Sequence, residues 1–402
     1  MHKKPHVLIA GAGIGGLALA LALVQRGFTV DVFEQASELR EFGAGINLTP
    51  NGHRVLDQLG IGDAVRARAC VPTARQIRHW KSGKIWPFID VGPEAIQRWG
   101  YSSITVYRPD LHQPLIDALE RARPGTIRLN HRVAGFDQDE KGVTLRLSDG
   151  RRIQGDVLVG ADGVHSPTRQ GLFGPDRPEF TGVVAWRGVI PMKRLPAHLA
   201  ESISNVWVGP GRHSVQYPLR GGEVMNFVGL VERNDWLVES WTERGTHEEW
   251  AHDFAGWHDD IHSFIRAVDV PFKWALMSRT PMARWSSGRV TLLGDACHAM
   301  LPFLAQGAAQ SMEDAIVLAR VLDRYVVEPT DIEAALMRYE DLRRDRTARA
   351  VLGSAANAKR FHHPSLADPA TAEAYIEREF APAPLIERYD WLFSYDAATV
   401  EI

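Results

Sequence analysis

Three stretches of this chain have the residue types and spacing that bind and react. The first is Gly11-x-Gly13-Ile14-Gly15-Gly16, set between the apolar run Val7–Ala10 and a long apolar segment reaching Val24. Gly11 permits a tight turn, Gly13 lets a pyrophosphate approach the backbone, and Gly16 lets a helix pack closely on a strand. The N-terminus of that helix presents free N–H groups and partial positive charge to phosphate oxygens. Glu34 ends the next apolar run, Thr29–Phe33, roughly 20 residues on, where a carboxylate can accept from a pair of ribose hydroxyls. The second stretch is Gly160-Ala-Asp162-Gly163, an apolar run ending in a turn; Asp162 falls at the carboxyl end of a strand, where parallel sheets place ligand groups. The third is Gly294-Asp295-Ala-Cys-His298, followed by Pro302 and by Ala305-Gln-Gly307-Ala308. A glycine-rich approach to a helix is a second site for an anion or dipole.

The elements that must hold these residues follow from apolar periodicity. Val7–Ala10, Thr29–Phe33, Val157–Gly160 and Val290–Leu293 read as buried parallel strands, and 14–24, 50–59 and 310–322 as helices. Glycines at 43 and 45 suggest backbone held against a ligand. A helix begins near Arg108, with Asp110 as its expected cap and Leu111, Leu115, Ala118 and Leu119 as its buried stripe. Arg108 can reach a phosphate there, or pair with Asp110. Residues 77–86 read as a hairpin, and 178–284 as short strands and turns around two helices, so a separate antiparallel sheet is inserted into the nucleotide-binding part. Residues 332–359 read as helical with exposed arginines, and His362-His363 as a solvated loop without a partner at metal-ligand spacing. The expected division is a discontinuous nucleotide-binding domain (1–71, 105–177 and 285–345), a substrate domain (72–104 and 178–284) and a C-terminal helical segment (346–402).

Composition narrows the class. The chain has 402 residues, 45% hydrophobic and 24% charged, with a net charge of −3. Mixed charge of that size gives no footprint for nucleic acid or an anionic membrane. Lys3 and Lys4 precede an apolar run, as in a signal peptide or membrane helix, but the glycines of 11–16 and the strand ending at Glu34 argue against both. Two cysteines, Cys70 and Cys297, exclude a disulfide framework and a cysteine zinc site, and a reducing cytoplasm fits.

Taken in order, the three stretches resemble the single-component FAD-dependent aromatic hydroxylases, with the p-hydroxybenzoate hydroxylase-like fold. The likeness covers nearly the whole chain. It implies an α/β fold: a Rossmann-like FAD-binding domain, an inserted β-sheet substrate domain and C-terminal helices. It implies that Glu34, Arg108 and Asp295 hold FAD at its adenosine ribose, pyrophosphate and ribityl chain, and that Asp162 and Gly163 serve FAD and the nicotinamide donor. The helix after Gly307 would aim its positive end at the flavin pyrimidine ring. NADH or NADPH would be a transient reductant and O2 the co-substrate, with oxygen passing through a flavin C4a-hydroperoxide. A homodimer is common among such enzymes.

Within that family, Gly211-Arg-His213-Ser-Val-Gln-Tyr217-Pro is most similar to 3-hydroxybenzoate 6-hydroxylase, which implies a catalytic His213 and a substrate-binding Tyr217. Met300-Leu-Pro302 resembles salicylate 1-hydroxylase, and Ala305-Gln-Gly307-Ala308 resembles 6-hydroxynicotinate 3-monooxygenase, although Phe303 stands where the latter has a histidine. His213 and Tyr217 lie four apart on an expected strand and so share a face. A base there would convert a phenol to the more nucleophilic phenolate, and Pro302 would wall the oxygen-transfer site. Asn47, Arg187 and Phe303 are expected near the substrate, with Arg187 or Arg279 able to pair with a carboxylate or to serve a structural ion pair. Trp80, Trp86, Trp99, Trp186 and Trp207 can line a pocket or pack the sheet. The competing readings are a pyridine hydroxylase, a flavin-dependent epoxidase or halogenase, and a non-catalytic FAD-binding protein. The halogenase Trp-x-Trp-x-Ile-Pro segment is absent.

Overall fold

The computed structural model describes residues 4–39, 45–89, 91–233, 235 and 243–402; Gly43 lies outside them. Five parallel strands form one sheet in the order Val290–Leu292, Val157–Gly160, His6–Ala10, Thr29–Phe33 and Ile127–Arg128. Its central strands are continuous apolar runs because helices cover the sheet, and the helix Ile14–Gln25 is buried on nearly every side from Ile14 to Leu23. That helix packs between Arg108–Ala122 and Gly307–Tyr325. The strands Val133–Gln138, Val143–Leu147 and Arg152–Gly155 form a separate three-stranded antiparallel sheet with Val143–Leu147 at its centre.

A seven-stranded sheet runs in the order Phe272–Ser278, Glu179–Pro191, Val224–Glu232, Arg212–Leu219, Ile203–Gly209, Ala74–His79 and Ile85–Pro87. All its pairings are antiparallel except Ile203–Gly209 with Ala74–His79. Alternation along each strand gives it two different faces. One face packs Trp186, Trp207 and Phe227 against Trp250 and Phe264 from the helices His247–Asp253 and Asp259–Ala267, and against Phe254, which follows the first of them. The other carries Ile77, Val206, Val208, Ala185 and Leu230 toward Leu301, Phe303 and the C-terminal part of the chain.

The C-terminal part is more ordered than its composition suggests. Ile332–Phe361 is one 30-residue helix, followed by Pro369–Phe380 and Pro382–Phe393, with Tyr389 and Phe393 buried against the second face of the large sheet. The arginines of the long helix are not all on its solvent side: Arg343 is fully buried. Asp110 does not cap its helix, which starts at Arg108. Asp110 is buried and accepts from Arg68 at 3.2 Å and Arg220 at 3.0 Å. His362 is buried rather than solvated, and His363 stacks on Tyr375 at 4.4 Å.

Candidate active site

A single cavity of about 510 Å3 runs from the glycine loop to the second face of the large sheet. At its dinucleotide end the wall includes Gly13, Ile14, Gly15, Arg108 and Gly163, then Gly294, Asp295, Gly307 and Ala308. Gly45 and Asn47 of the strand Gly45–Leu48 stand between this end and the sheet. Gly11, Gly16, Glu34 and Asp162 shape this end without lining it. A Cβ at Gly16 would stand 2.1 Å from the Gly11 carbonyl oxygen, and Gly11 has φ +103°, open to glycine only. The Glu34 carboxylate accepts from the backbone N–H of Ala12 at 3.0 Å and of Ala36 at 2.9 Å, bracing the loop. Oδ2 of Asp162 accepts from Thr168 N–H at 2.9 Å and its hydroxyl at 2.7 Å, while buried Oδ1 has no partner among the described residues.

These features fit a dinucleotide. A Cβ at Gly13 would meet nothing within 4 Å, which leaves room at the helix N-terminus for a phosphate. Arg108 adds a cation beside it, and its charge acts on Arg187 behind. Burial, then Arg108, lowers the pKa of Arg187 to about 10. Arg187 does not border the cavity; its guanidinium lies 5.1 Å from the Trp274 ring and 5.7 Å from Phe272. Arg279 is structural, held by Asp176 and by the Val164 carbonyl.

The start of the helix Gly307–Tyr325 is held by a buried polar network that the linear pattern does not display. Gln306 donates to Thr49 Oγ1 at 2.7 Å and accepts from Asn51 at 3.0 Å. Below it, Arg343 donates to Asp314 and Glu313 at 2.7 Å each, and Arg346 clamps Glu313 at 2.8 and 2.9 Å. Burial raises the pKa of Glu313, but Arg346 and Arg343 outweigh it and hold the carboxylate below its ordinary value. Asp314 also accepts from Gly294 N–H at 3.1 Å and contacts His298 Nε2 at 2.5 Å, fixing the Gly294–His298 turn. The long helix pins the Leu301–Phe303 loop, with Ser354 donating to the Leu301 carbonyl at 2.5 Å and Asn357 to that of Phe303 at 3.1 Å. Ala305 turns the chain at φ 55°, a strained conformation for a residue with a Cβ.

The sheet end of the cavity is largely apolar, with Asn357, Tyr389 and three further polar groups set into it. His213, Val215 and Tyr217 of the strand Arg212–Leu219 all face it, opposite Pro302 and Phe303. The His213 ring lies edge-on to Phe303 at 5.0 Å, and burial holds its pKa well below the usual histidine value. Burial likewise raises the Tyr217 phenol, so it stays a neutral hydrogen-bonding group. The third group, Arg75, was not singled out by the sequence. It shares the cavity face with Tyr217 through the pairing of Ala74–His79 with Ile203–Gly209. Its Nε and Nη1 are buried with no hydrogen-bond partner among the described residues, and burial lowers its pKa to about 10. It therefore remains a cation at neutral pH. Of the tryptophans, Trp274 lines the cavity, and Trp80, Trp86, Trp99, Trp186 and Trp207 do not.

The model of the FAD-binding domain family matches residues 4–354. The chain belongs to the FAD-binding domain family. It is 36% identical over 397 residues to 3-amino-4-hydroxybenzoate 2-monooxygenase PtnB3 of Streptomyces platensis, covering 99% of this chain and 98% of that one. It is also 36% identical over 391 residues to 3-hydroxybenzoate 6-hydroxylase of Polaromonas naphthalenivorans, covering 97% and 96%. Its fold is similar to that of Klebsiella pneumoniae HpxO complexed with FAD and uric acid, with a TM-score of 0.84, 29% identity and 97% of both chains covered. The protein is an FAD-dependent monooxygenase, using a reduced nicotinamide and O2.

Proposed function

We propose that this monooxygenase hydroxylates a small phenolic or hydroxylated heteroaromatic acid of the salicylate or 3-hydroxybenzoate kind. The observation that carries the reading is the placement, in one apolar chamber continuous with the dinucleotide cradle, of a neutral imidazole and an unpartnered guanidinium. An apolar chamber suits an aromatic ring, and a guanidinium fork suits a carboxylate.

In this reading the Gly13–Gly16 loop would hold FAD, with Glu34 serving its ribose, Arg108 its pyrophosphate, Asp295 its ribityl chain and Gly307 and Ala308 its flavin ring. The reduced cofactor supplies activated oxygen, one atom of which enters the substrate ring. The rest belongs to the protein. Arg75 and Tyr217 hold the carboxylate end, the role first looked for at Arg187 or Arg279. Nε2 of His213 takes the phenol proton, making the ring a better nucleophile. Pro302 and Phe303 close the chamber against water. Buried, free Cys70 and Cys297 suit a reducing compartment such as the cytoplasm.

The test is NADH oxidation by the FAD-loaded protein with salicylate, 3-hydroxybenzoate, 3-amino-4-hydroxybenzoate, 6-hydroxynicotinate and benzoate, with product identification. A phenolic acid is expected to speed NADH oxidation and to be itself hydroxylated. Stimulation with only hydrogen peroxide as product for every acid would sink this substrate class.

A further inference from the structure

His213 does not end at the cavity wall. Its Nδ1 lies 2.6 Å from Nε2 of His362, whose Nδ1 lies 2.7 Å from Oε1 of Glu232. The two imidazoles are 1% and 5% exposed. The Glu232 side chain is 56% exposed. The three side chains come from two neighbouring strands and the residue that follows the long helix. Together they make an unbroken hydrogen-bonded line from chamber to surface.

The protons on this line are set from its outer end. An ionised carboxylate only accepts, so Nδ1 of His362 carries its hydrogen. When the His362 ring carries that one hydrogen, its Nε2 is left as an acceptor for Nδ1–H of His213. The lone pair of His213 is left on Nε2, which makes no hydrogen bond among the described residues, on a ring that lines the cavity.

The geometry points to a proton relay in which Glu232, acting through His362, prepares His213 as acceptor for the substrate's phenol proton and conducts that proton to solvent. The inference rests on the reading of the substrate as a phenolic acid. In one passage the substrate O–H breaks and Nε2–H of His213 forms. Nδ1–H of His213 passes to Nε2 of His362, and Nδ1–H of His362 passes to Glu232, which releases a proton to water. One phenol becomes one phenolate, one proton reaches solvent, and nothing is oxidised or reduced. Both rings end neutral with their tautomers exchanged, and reverse passage to the oxygen of the product restores them. No imidazolium has to persist in the place where burial most disfavours it. The Phe303 and Phe361 rings flank His213, and the titratable groups acting on His213 and Glu232 are those of the line itself. His213 is the catalytic residue; His362 and Glu232 position it and carry its proton.

The experiment mixes oxidised, FAD-loaded enzyme with 3-hydroxy-4-nitrobenzoate, whose phenolate absorbs visible light, in a stopped-flow instrument. Wild type, Glu232→Gln and His362→Gln are compared at several pH values. Phenolate appearance is expected to slow at least 10-fold in both variants, with FAD content and probe affinity retained. Acetate should restore the rate in Glu232→Gln and not in His362→Gln, because only the former vacates a surface carboxylate site. Equal rates in wild type and Glu232→Gln, or slowing that acetate leaves untouched, overturn the relay while leaving the hydroxylase reading in place. Failure of wild type to form phenolate, together with no ring hydroxylated in the acid panel, overturns the substrate reading and the relay with it.

Discussion

Arg75 shows how much one buried side chain decides. A guanidinium with two unpartnered buried nitrogens costs stability unless something anionic meets it. A charge-assisted pair with a carboxylate offsets that cost by about 1.5–3 kcal/mol. Arg75→Met is therefore expected to raise KM for the acid substrate roughly 10- to 100-fold, with a smaller change in kcat. The primary amide of the same acid should respond little, and steady-state kinetics on the pair checks this. A parallel loss on acid and amide would return Arg75 to a packing role. Arg75→Lys is not conservative here, because an ammonium lacks the planar fork.

At the scale of elements, the helix Gly307–Tyr325 is presented to the cavity by side chains beneath it. Arg343 sits between Glu313 and Asp314, all three essentially without solvent exposure. Removing the cation leaves two buried carboxylates short of compensation, and breaking such a pair costs about 3–5 kcal/mol. Arg343→Met should lower the denaturant midpoint by that equivalent with an unchanged slope. FAD retention should weaken as well, since Asp314 also braces the Gly294 turn. A stability change under 1 kcal/mol would show that Arg346 alone suffices for Glu313.

Over the whole molecule, burial leaves several histidines reluctant to protonate. His53, His79 and His213 all have their pKa values lowered, with desolvation as the first cause in each. Their unfolded values lie near 6.5, so below that pH the unfolded chain binds protons that the native state does not. Stability should therefore fall as pH drops through 6.5 toward the lower folded values. Each group contributes up to about 1.4 kcal/mol per pH unit in that window. Melting temperature followed from pH 7.5 to 5.0 should decline, and His213→Gln should flatten the slope. A flat profile in wild type would mean that these rings are protonated in the folded state.

The glycine loop and the Gly294-Asp295 turn were legible in the linear chain because their geometry is local, whereas the helix expected over 310–322 already begins at Gly307. A tight turn, a close backbone approach and a helix N-terminus each depend on a few consecutive residues, and glycine or apolar periodicity records them directly. The i, i+4 spacing of His213 and Tyr217 is local in the same sense, since a strand's alternation settles which side both face. Arg75, the Glu313–Asp314–Arg343 network and the His213–His362–Glu232 line left no such trace. Their partners are far apart in sequence, and an arginine or histidine reads as a surface residue until its neighbours are known. Asp110, expected as a helix cap, and His362, expected in solvent, differ for that reason. By itself, the sequence determined the parallel sheet, the glycine turns at one end of the cavity and the strand face that His213 and Tyr217 share. Only the tertiary structure decided which charges are buried, which of them are left without a protein partner among the described residues, and that the His213 imidazole is linked through His362 to a surface carboxylate, because burial and distant contact are properties of packing.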